Sequence, residues 1–297
     1  MPPAPARNLA TAFEHVLGLA EYPVLEAHVL DGRPVLPLAL TLEWLAHGAV
    51  HENAGLTFHG CDDLRVLHGV VLDGDAPPTL RVLAGKAVKK DGCYRTPVEL
   101  RGVRGDGRDM LYARAEIILT TDLPPAPPAR PVVARPLHSF TPEEIYRRVL
   151  FHGPDMQCIE GVEACDDRGV VARLRAAPAP AEWMRRPLRQ KWIADPLILD
   201  GGFQMMILWS VAHSGAPGLP CYVARYRQYR RAFPAEGARV ALEIGKATEL
   251  HALGDLDFLA ADGQVIARME GAECTLDAGL ERAFRRNRLP MAAVGEV

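Results

Sequence analysis

Several features are missing from this sequence, and each absence excludes something. No run among the 297 residues approaches the roughly 20 consecutive apolar residues of a membrane helix. The opening "MPPAPARNLA" has no basic stretch followed by an apolar one, so no secretory leader is expected. The six cysteines (Cys61, Cys93, Cys158, Cys165, Cys221 and Cys274) are scattered, and no two form a C-x-x-C pair. They read as reduced thiols in a cytoplasmic protein, mostly core filler and not a zinc site. Charge is nearly balanced, with 34 Lys and Arg against 37 Asp and Glu. A net charge of −3 gives no electrostatic reason to expect nucleic acid as a partner.

What is present fits an ordinary globular chain, 48% hydrophobic and 24% charged, long enough for one large domain or two of common size. Residues 122–136, "DLPPAPPARPVVARP", hold six prolines and no amphipathic period, which predicts an extended linker. The layout on either side of it is similar. In the first part, 36–50 is apolar around most of a helical circumference, with Leu38, Leu42, Leu45 and Ala49 on one stripe and Trp44 widening it. Four segments follow: "LRVLHGVVLDG", "TLRVLAGKAVKKDG", "YRTPVELRGVRGDG" and "MLYARAEIIL". Gly, Asp and Pro punctuate them, and they read as antiparallel strands. In the second part, 197–215 is a helix that is apolar nearly all round. It too is followed by strand-like segments, "CYVARYRQYRRAF", "ARVALEIGKATEL", "LGDLDFLAADG" and "VIARMEGAECTL". A buried helix with an antiparallel sheet, occurring twice, predicts a duplicated α+β fold in which each sheet wraps a helix. The expected units are residues 1–121, a linker 122–139, residues 140–280, and a tail 281–297.

The chemistry centres on two short stretches. In "HVLDGRPVLP" (28–37) an imidazole stands at the mouth of the first apolar helix, with a glycine and prolines fixing the backbone around it. In "ADPLILDGGFQ" (194–204) Asp200 sits near the start of the second. Packed as a pseudo-dimer, the halves would bring His28 and Asp200 into one apolar cavity, the arrangement of base and acid that proton abstraction beside a carbonyl requires. Taken alone, His28 reads as a structural histidine and Asp200 as a helix N-cap. His47 and His51 have metal-ligand spacing but no third partner, which favours a solvated or capping role.

Here the residues resemble the dehydratase domains of polyketide and polyunsaturated-fatty-acid synthases. His28, Gly32 and Pro37 match the family's H-x-x-x-G-x-x-x-x-P motif, and Asp200 with Gln204 matches D-x-x-x-Q/H. Between them, "FHGPDMQ" (151–157) is similar to the Y-G-P-x-F segment, with Gly153 and Pro154 in place. It departs at His152, where many relatives carry tyrosine, and at Met156, where they carry phenylalanine. The resemblance implies a double hotdog fold and a hydro-lyase that removes water from 3-hydroxyacyl chains on acyl carrier protein, without cofactor or metal. It implies His28 as the base toward C2 and Asp200 as the acid toward the C3 hydroxyl. Gly32, Pro37, His152, Gly153, Pro154 and Gln204 would line or shape the substrate site.

For Asp200 to act as an acid, apolar burial is expected to raise its pKa well above about 3.9. Base and acid atoms are expected within roughly 3–6 Å of each other. The basic stretches 185–191 and 225–231 are solvated faces or, alternatively, the ground on which an acidic carrier lands beside the tunnel. Other synthase domains and a second copy of the chain are further expected partners. Competing readings are a dehydratase that also isomerises, a product-template-like cyclisation domain, a hotdog thioesterase, and a catalytically empty scaffold.

Overall fold

Two helices that carry apolar side chains on nearly every face dictate the architecture, because each must be covered all round. The computed structural model describes residues 9–72, 77–103, 107–131 and 140–289. The chain begins with β1 (Ala10–Val16), a 3-10 helix (Pro23–Ala27), the short strands β2 (Val29–Leu30) and β3 (Arg33–Pro34), and the helix α1 (Leu38–Glu52). Strands β4 (Thr57–Val66), β5 (Thr79–Ala84), β6 (Val88–Lys90), β7 (Cys93–Val103) and β8 (Asp109–Thr120) complete the first half. The second half opens with α2 (Pro142–Arg148), β9 (Ile159–Asp166), β10 (Gly169–Leu174) and the single turn α3 (Pro180–Trp183). It continues through α4 (Pro196–Ser214) to β11 (Gly218–Gln228), β12 (Ala238–Ala247), β13 (His251–Leu259), β14 (Val265–Leu276) and α5 (Leu280–Arg285).

Every residue from Leu38 to Ala49 of α1, and from Pro196 to Ser210 of α4, is buried. The strands supply the cover by alternation: Leu80, Val82 and Ala84 of β5 point inward, as do Val98 and Leu100 of β7. The sheet order is β1-β5-β7-β8-β4-β11-β14-β13-β12-β10-β9, with β6 beside β7. The two expected sheets are therefore continuous, joined where β4 pairs antiparallel with β11 from Tyr222↔Arg65 to Arg227↔Gly60. Gly60 takes φ +151°, and a Cβ there would lie 1.9 Å from the Tyr226 carbonyl oxygen. Only glycine fits this seam.

The helices also meet each other through a buried carboxylate. Glu43 of α1 accepts hydrogen bonds from the backbone N–H groups of Ile193 (2.9 Å) and Ala194 (2.7 Å), just ahead of α4. Burial pushes its pKa up to about 7 against those bonds, which favour the charged form. Asp195 follows as the N-cap of α4, accepting from Leu197 and Ile198.

Differences from the sequence expectations are local. The strand expected over 64–74 starts earlier, at Thr57, and leaves the sheet after Val66; residues 73–76 lie outside those described. Strands β1, β9 and β10 are additions to the expected set. Of the Pro-rich stretch, 122–131 carries no regular structure and lies along the second half. There the Arg130 N–H donates to Asp257 Oδ2 (2.8 Å), and its guanidinium reaches Glu270 (2.8 Å). Residues 132–139 lie outside those described. The segment expected as a tail from 281 begins as part of α5, with Phe284 buried.

The seam gives a direct test. Gly60→Ala should destabilise the protein by well over ~2 kcal/mol, because a backbone carbonyl cannot yield as a side chain can. Chemical denaturation checks this, and an unchanged midpoint would mean the two halves are not locked through β4 and β11.

Candidate active site

The Asp-Gly pair in "HVLDGRPVLP" is a hairpin signal. Asp31 and Gly32 both take positive φ, 51° and 76°, between β2 and β3. This tight turn folds Val35 back beside His28: the Val35 N–H donates to the His28 carbonyl oxygen (2.9 Å), and His28 Nδ1 donates to the Val35 carbonyl oxygen (2.7 Å). Since a carbonyl only accepts, the proton sits on Nδ1 and the Nε2 lone pair is left free. The hairpin is held from outside by the segment at α5. Asp31 N–H donates to Ala283 O (3.0 Å), Gly32 N–H to Arg286 O (2.6 Å), and Arg286 pairs with the Asp31 carboxylate (2.8 Å).

Asp200 lies in the second turn of α4, and the N-cap role belongs to Asp195 instead. The Asp200 Oδ2 accepts from Gln204 Nε2 (2.8 Å), one helical turn on. Gln204 is itself fully occupied: it donates to Met156 O (2.9 Å) and accepts from the Tyr146 hydroxyl (2.8 Å). Tyr146 in turn accepts from the Ile159 N–H (2.7 Å). It hangs on α2, whose start is fixed by a capping box between Thr141 and Glu144. Tyr146 is an addition to the expected site residues; the T-x-x-E at 141–144 is the available sequence signal for its helix.

The segment 151–156 closes the group. Gly153 N–H donates to Ala27 O (2.7 Å), tying it to the turn before His28. Phe151 packs 4.9 Å from the His28 ring and 4.1 Å from that of His152, with Phe284 behind it at 4.7 Å. His152 Nε2 stands 3.3 Å from Asp200 Oδ2, while its Nδ1 has no hydrogen-bond partner among the described residues. One ring nitrogen from each histidine and one Asp200 oxygen all lie within 4.8 Å of one another. All three side chains are buried, at 8%, 3% and 4% exposure for His28, His152 and Asp200.

They line a mainly apolar cavity of about 310 Å³, built from both halves. Leu36, Leu38 and Thr41 come from the start of α1; Phe203, Gln204 and Ile207 come from α4. Its lining includes the exposed His68 and Gly69 together with Leu219, Pro220 and Cys221. Of the residues expected at the substrate, His152 and Gln204 line it with His28 and Asp200. Gly32, Pro37, Gly153 and Pro154 do not; they shape the backbone that carries the two histidines and α1. Neither basic stretch lines it. Arg189 donates to His47 (3.0 Å) beside a separate small pocket, while Arg225 and Arg227 pair with Glu270 (3.6 Å) and Asp62 (2.7 Å).

Burial pushes the His28 pKa down to about 4, with Asp200 opposing and His152 adding to the shift. For Asp200 burial pushes upward, as expected from sequence. The hydrogen bond from His152, the fields of His152 and His28, and the bond from Gln204 outweigh it. The carboxyl is held below the usual carboxylate range. At neutral pH the site thus presents a free imidazole lone pair and a carboxylate clasped by two donors.

Comparison with known proteins bears on the family and the fold. The model of a family described as the polyketide synthase dehydratase N-terminal domain matches residues 124–278, just over half of the chain. One of the polyunsaturated fatty acid synthase subunits of Thraustochytrium sp. is 28% identical over 210 residues. That match covers 69% of this chain but 7% of the relative, so the chain spans a small part of that protein. Among solved structures, the dehydratase domain of PpsC from Mycobacterium tuberculosis, in complex with C12:1-CoA, superposes with a TM-score of 0.66 at 21% identity, covering 92% of this chain and 96% of that one. A trans-AT polyketide synthase dehydratase domain from Brevibacillus brevis gives 0.69 at 18%, covering 89% and 92%. At such identities the structures speak to the fold, a double hotdog. With the family match and the arrangement above, the chain belongs to the polyketide synthase dehydratase family and is a hydro-lyase.

Proposed function

We propose that the chain removes water from 3-hydroxyacyl thioesters carried on acyl carrier protein, giving 2-enoyl thioesters, in polyketide or polyunsaturated fatty acid synthesis. One observation carries the reading: an imidazole with a free nitrogen and a carboxylate, contributed by different halves, line a single apolar cavity, with a ring nitrogen and a carboxylate oxygen within 4.8 Å of each other. His28 is the base. Its lone pair takes the C2 proton, the C–H electrons form the double bond, and the C3–O bond breaks.

The departing hydroxyl needs a proton, and Asp200 is held too acidic to store one through burial alone. In the reactive form one proton is shared across the 3.3 Å His152–Asp200 contact while the His152 ring keeps its own N–H at Nδ1, so that giving up the shared proton leaves a neutral imidazole and a carboxylate. Asp200 passes the shared proton to the hydroxyl, water leaves, and the proton on His28 returns to the pair, which restores both groups. Gln204 and Tyr146 are positioning residues that fix the carboxylate. The first turn of α1, with no side-chain cap at Pro37, offers backbone N–H groups to the thioester carbonyl.

In this reading the partners are the carrier with its phosphopantetheine arm, the other synthase domains and a second copy of the chain. The setting is cytoplasmic, which six unpaired thiols support. The two hotdog units fall within residues 1–121 and 140–280, and the segment expected as a tail from 281 opens within α5 (Leu280–Arg285).

Mass spectrometry of a 3-hydroxyacyl carrier protein or thioester mimic tests the reaction, run also in reverse from the enoyl thioester. The expected result is loss or gain of one water; no mass change in either direction would reject the reading. His28→Ala and Asp200→Asn should each lower turnover by about 10²–10⁴-fold with the fold intact. His152→Phe, which keeps the stack on Phe151, should cost about 10²-fold. A folded variant of His28 or Asp200 with near wild-type turnover would remove that residue from the mechanism.

The pH profile supplies a separate check. A base with its pKa lowered to about 4 is protonated, and lost, only below that pH. The acid limb of kcat/KM should therefore fall near pH 4, with no inflection near about 6.5, where an ordinary histidine titrates. A limb at 6.5 would show that burial does not set the base.

A further inference from the structure

His28, His152 and Asp200 make a donor set whose capacity is wider than proton transfer. Among the described residues this is the one group of three or more metal-capable side chains that converge. His152 Nε2 and Asp200 Oδ2 are 3.3 Å apart. Ligands about 2.0–2.1 Å from a tetrahedral zinc ion stand ~3.4 Å from each other, so this pair already has the spacing of two ligands. One donor atom from each of the three residues lies within 4.8 Å of the other two.

The surroundings match those of a metal site. His28 donates Nδ1–H to the Val35 carbonyl, which fixes the tautomer and aims Nε2 inward, as outer-shell carbonyls do for metal-bound histidines. The carboxylate is steadied by Gln204. Two imidazoles and one carboxylate, with the cavity on the open side, leave a fourth position for water or a substrate oxygen.

We propose that His28, His152 and Asp200 form a binding site for a divalent transition-metal ion of the zinc class, and that the ion competes with substrate. The competition follows from a shared lone pair: a nitrogen bonded to the ion cannot take the C2 proton. That second clause rests on the dehydratase reading, whereas binding itself does not.

The test uses chelator-stripped protein and the metals alone. Titration with Co²⁺ should give a visible d–d band that saturates at one ion per chain, and Zn²⁺ should displace it with a Kd on the order of micromolar. His152→Phe and Asp200→Asn should each weaken binding at least about tenfold. His47→Ala, which alters the other closely spaced histidine pair, should leave it unchanged. X-ray absorption of the zinc-loaded wild-type protein should show two imidazole nitrogens, a readout that needs no variant to fold. Absence of the band, binding that survives His152→Phe, or a one-imidazole shell would overturn the site. Binding with all these properties but with turnover unaffected by Zn²⁺ would keep the site and overturn the role of His28 as base.

Discussion

A helix with no polar face cannot be left in contact with water, and this protein contains two. The requirement that α1 and α4 be covered on every side accounts for the continuous sheet, the seam at Gly60 and the inward alternation of the strands. It also decides where a site can form. The cavity is bounded by the start of α1 and the early turns of α4, so its walls are the same apolar surfaces that drive folding. The low polarisability of that interior is what lowers the basicity of His28.

Polar groups in such a core must be answered, because an unpaired one costs about 1–3 kcal/mol. The structure answers them in chains. Ile159 N–H, Tyr146, Gln204 and Asp200 form one run of hydrogen bonds. Ile193 and Ala194 N–H with Glu43, and Leu197 and Ile198 N–H with Asp195, anchor the start of α4. The first run orients the carboxylate at the cavity and the others hold the helix on which it rides. Among the described residues, Nδ1 of His152 is buried without a hydrogen-bond partner, beside the group that handles protons in the proposed reaction.

Much of this is legible in the residues, and the exceptions have physical causes. The two helices announce themselves through all-round apolarity, and the strands after them through alternation and turn residues. The strands β1 and β9 sit at the sheet ends with mixed patterns, "ATAFEHV" and "IEGVEACD", in which no face is consistently apolar. His28 and Asp200 are singled out by the motifs of the family resemblance, each beside a buried helix, whereas taken alone each reads as a structural residue. Local sequence cannot bring His152 onto Asp200, because that contact depends on the chain reversing between Phe151 and Met156. For the same reason the acidity of Asp200 runs opposite to the sequence expectation: burial is readable from neighbours in sequence, but the two donors that reverse its effect are visible only in three dimensions.

The clasp on the His28 hairpin has a consequence in time. Its fastening comes from Ala283 and Arg286, the latter 255 residues from Asp31 along the chain. Loops of such length close slowly and late, after local helices and hairpins have formed. A nascent chain on the ribosome therefore builds its first helix and sheet without a finished catalytic hairpin. The clasp on the hairpin that carries the imidazole can form only once Ala283 and Arg286 have been synthesised.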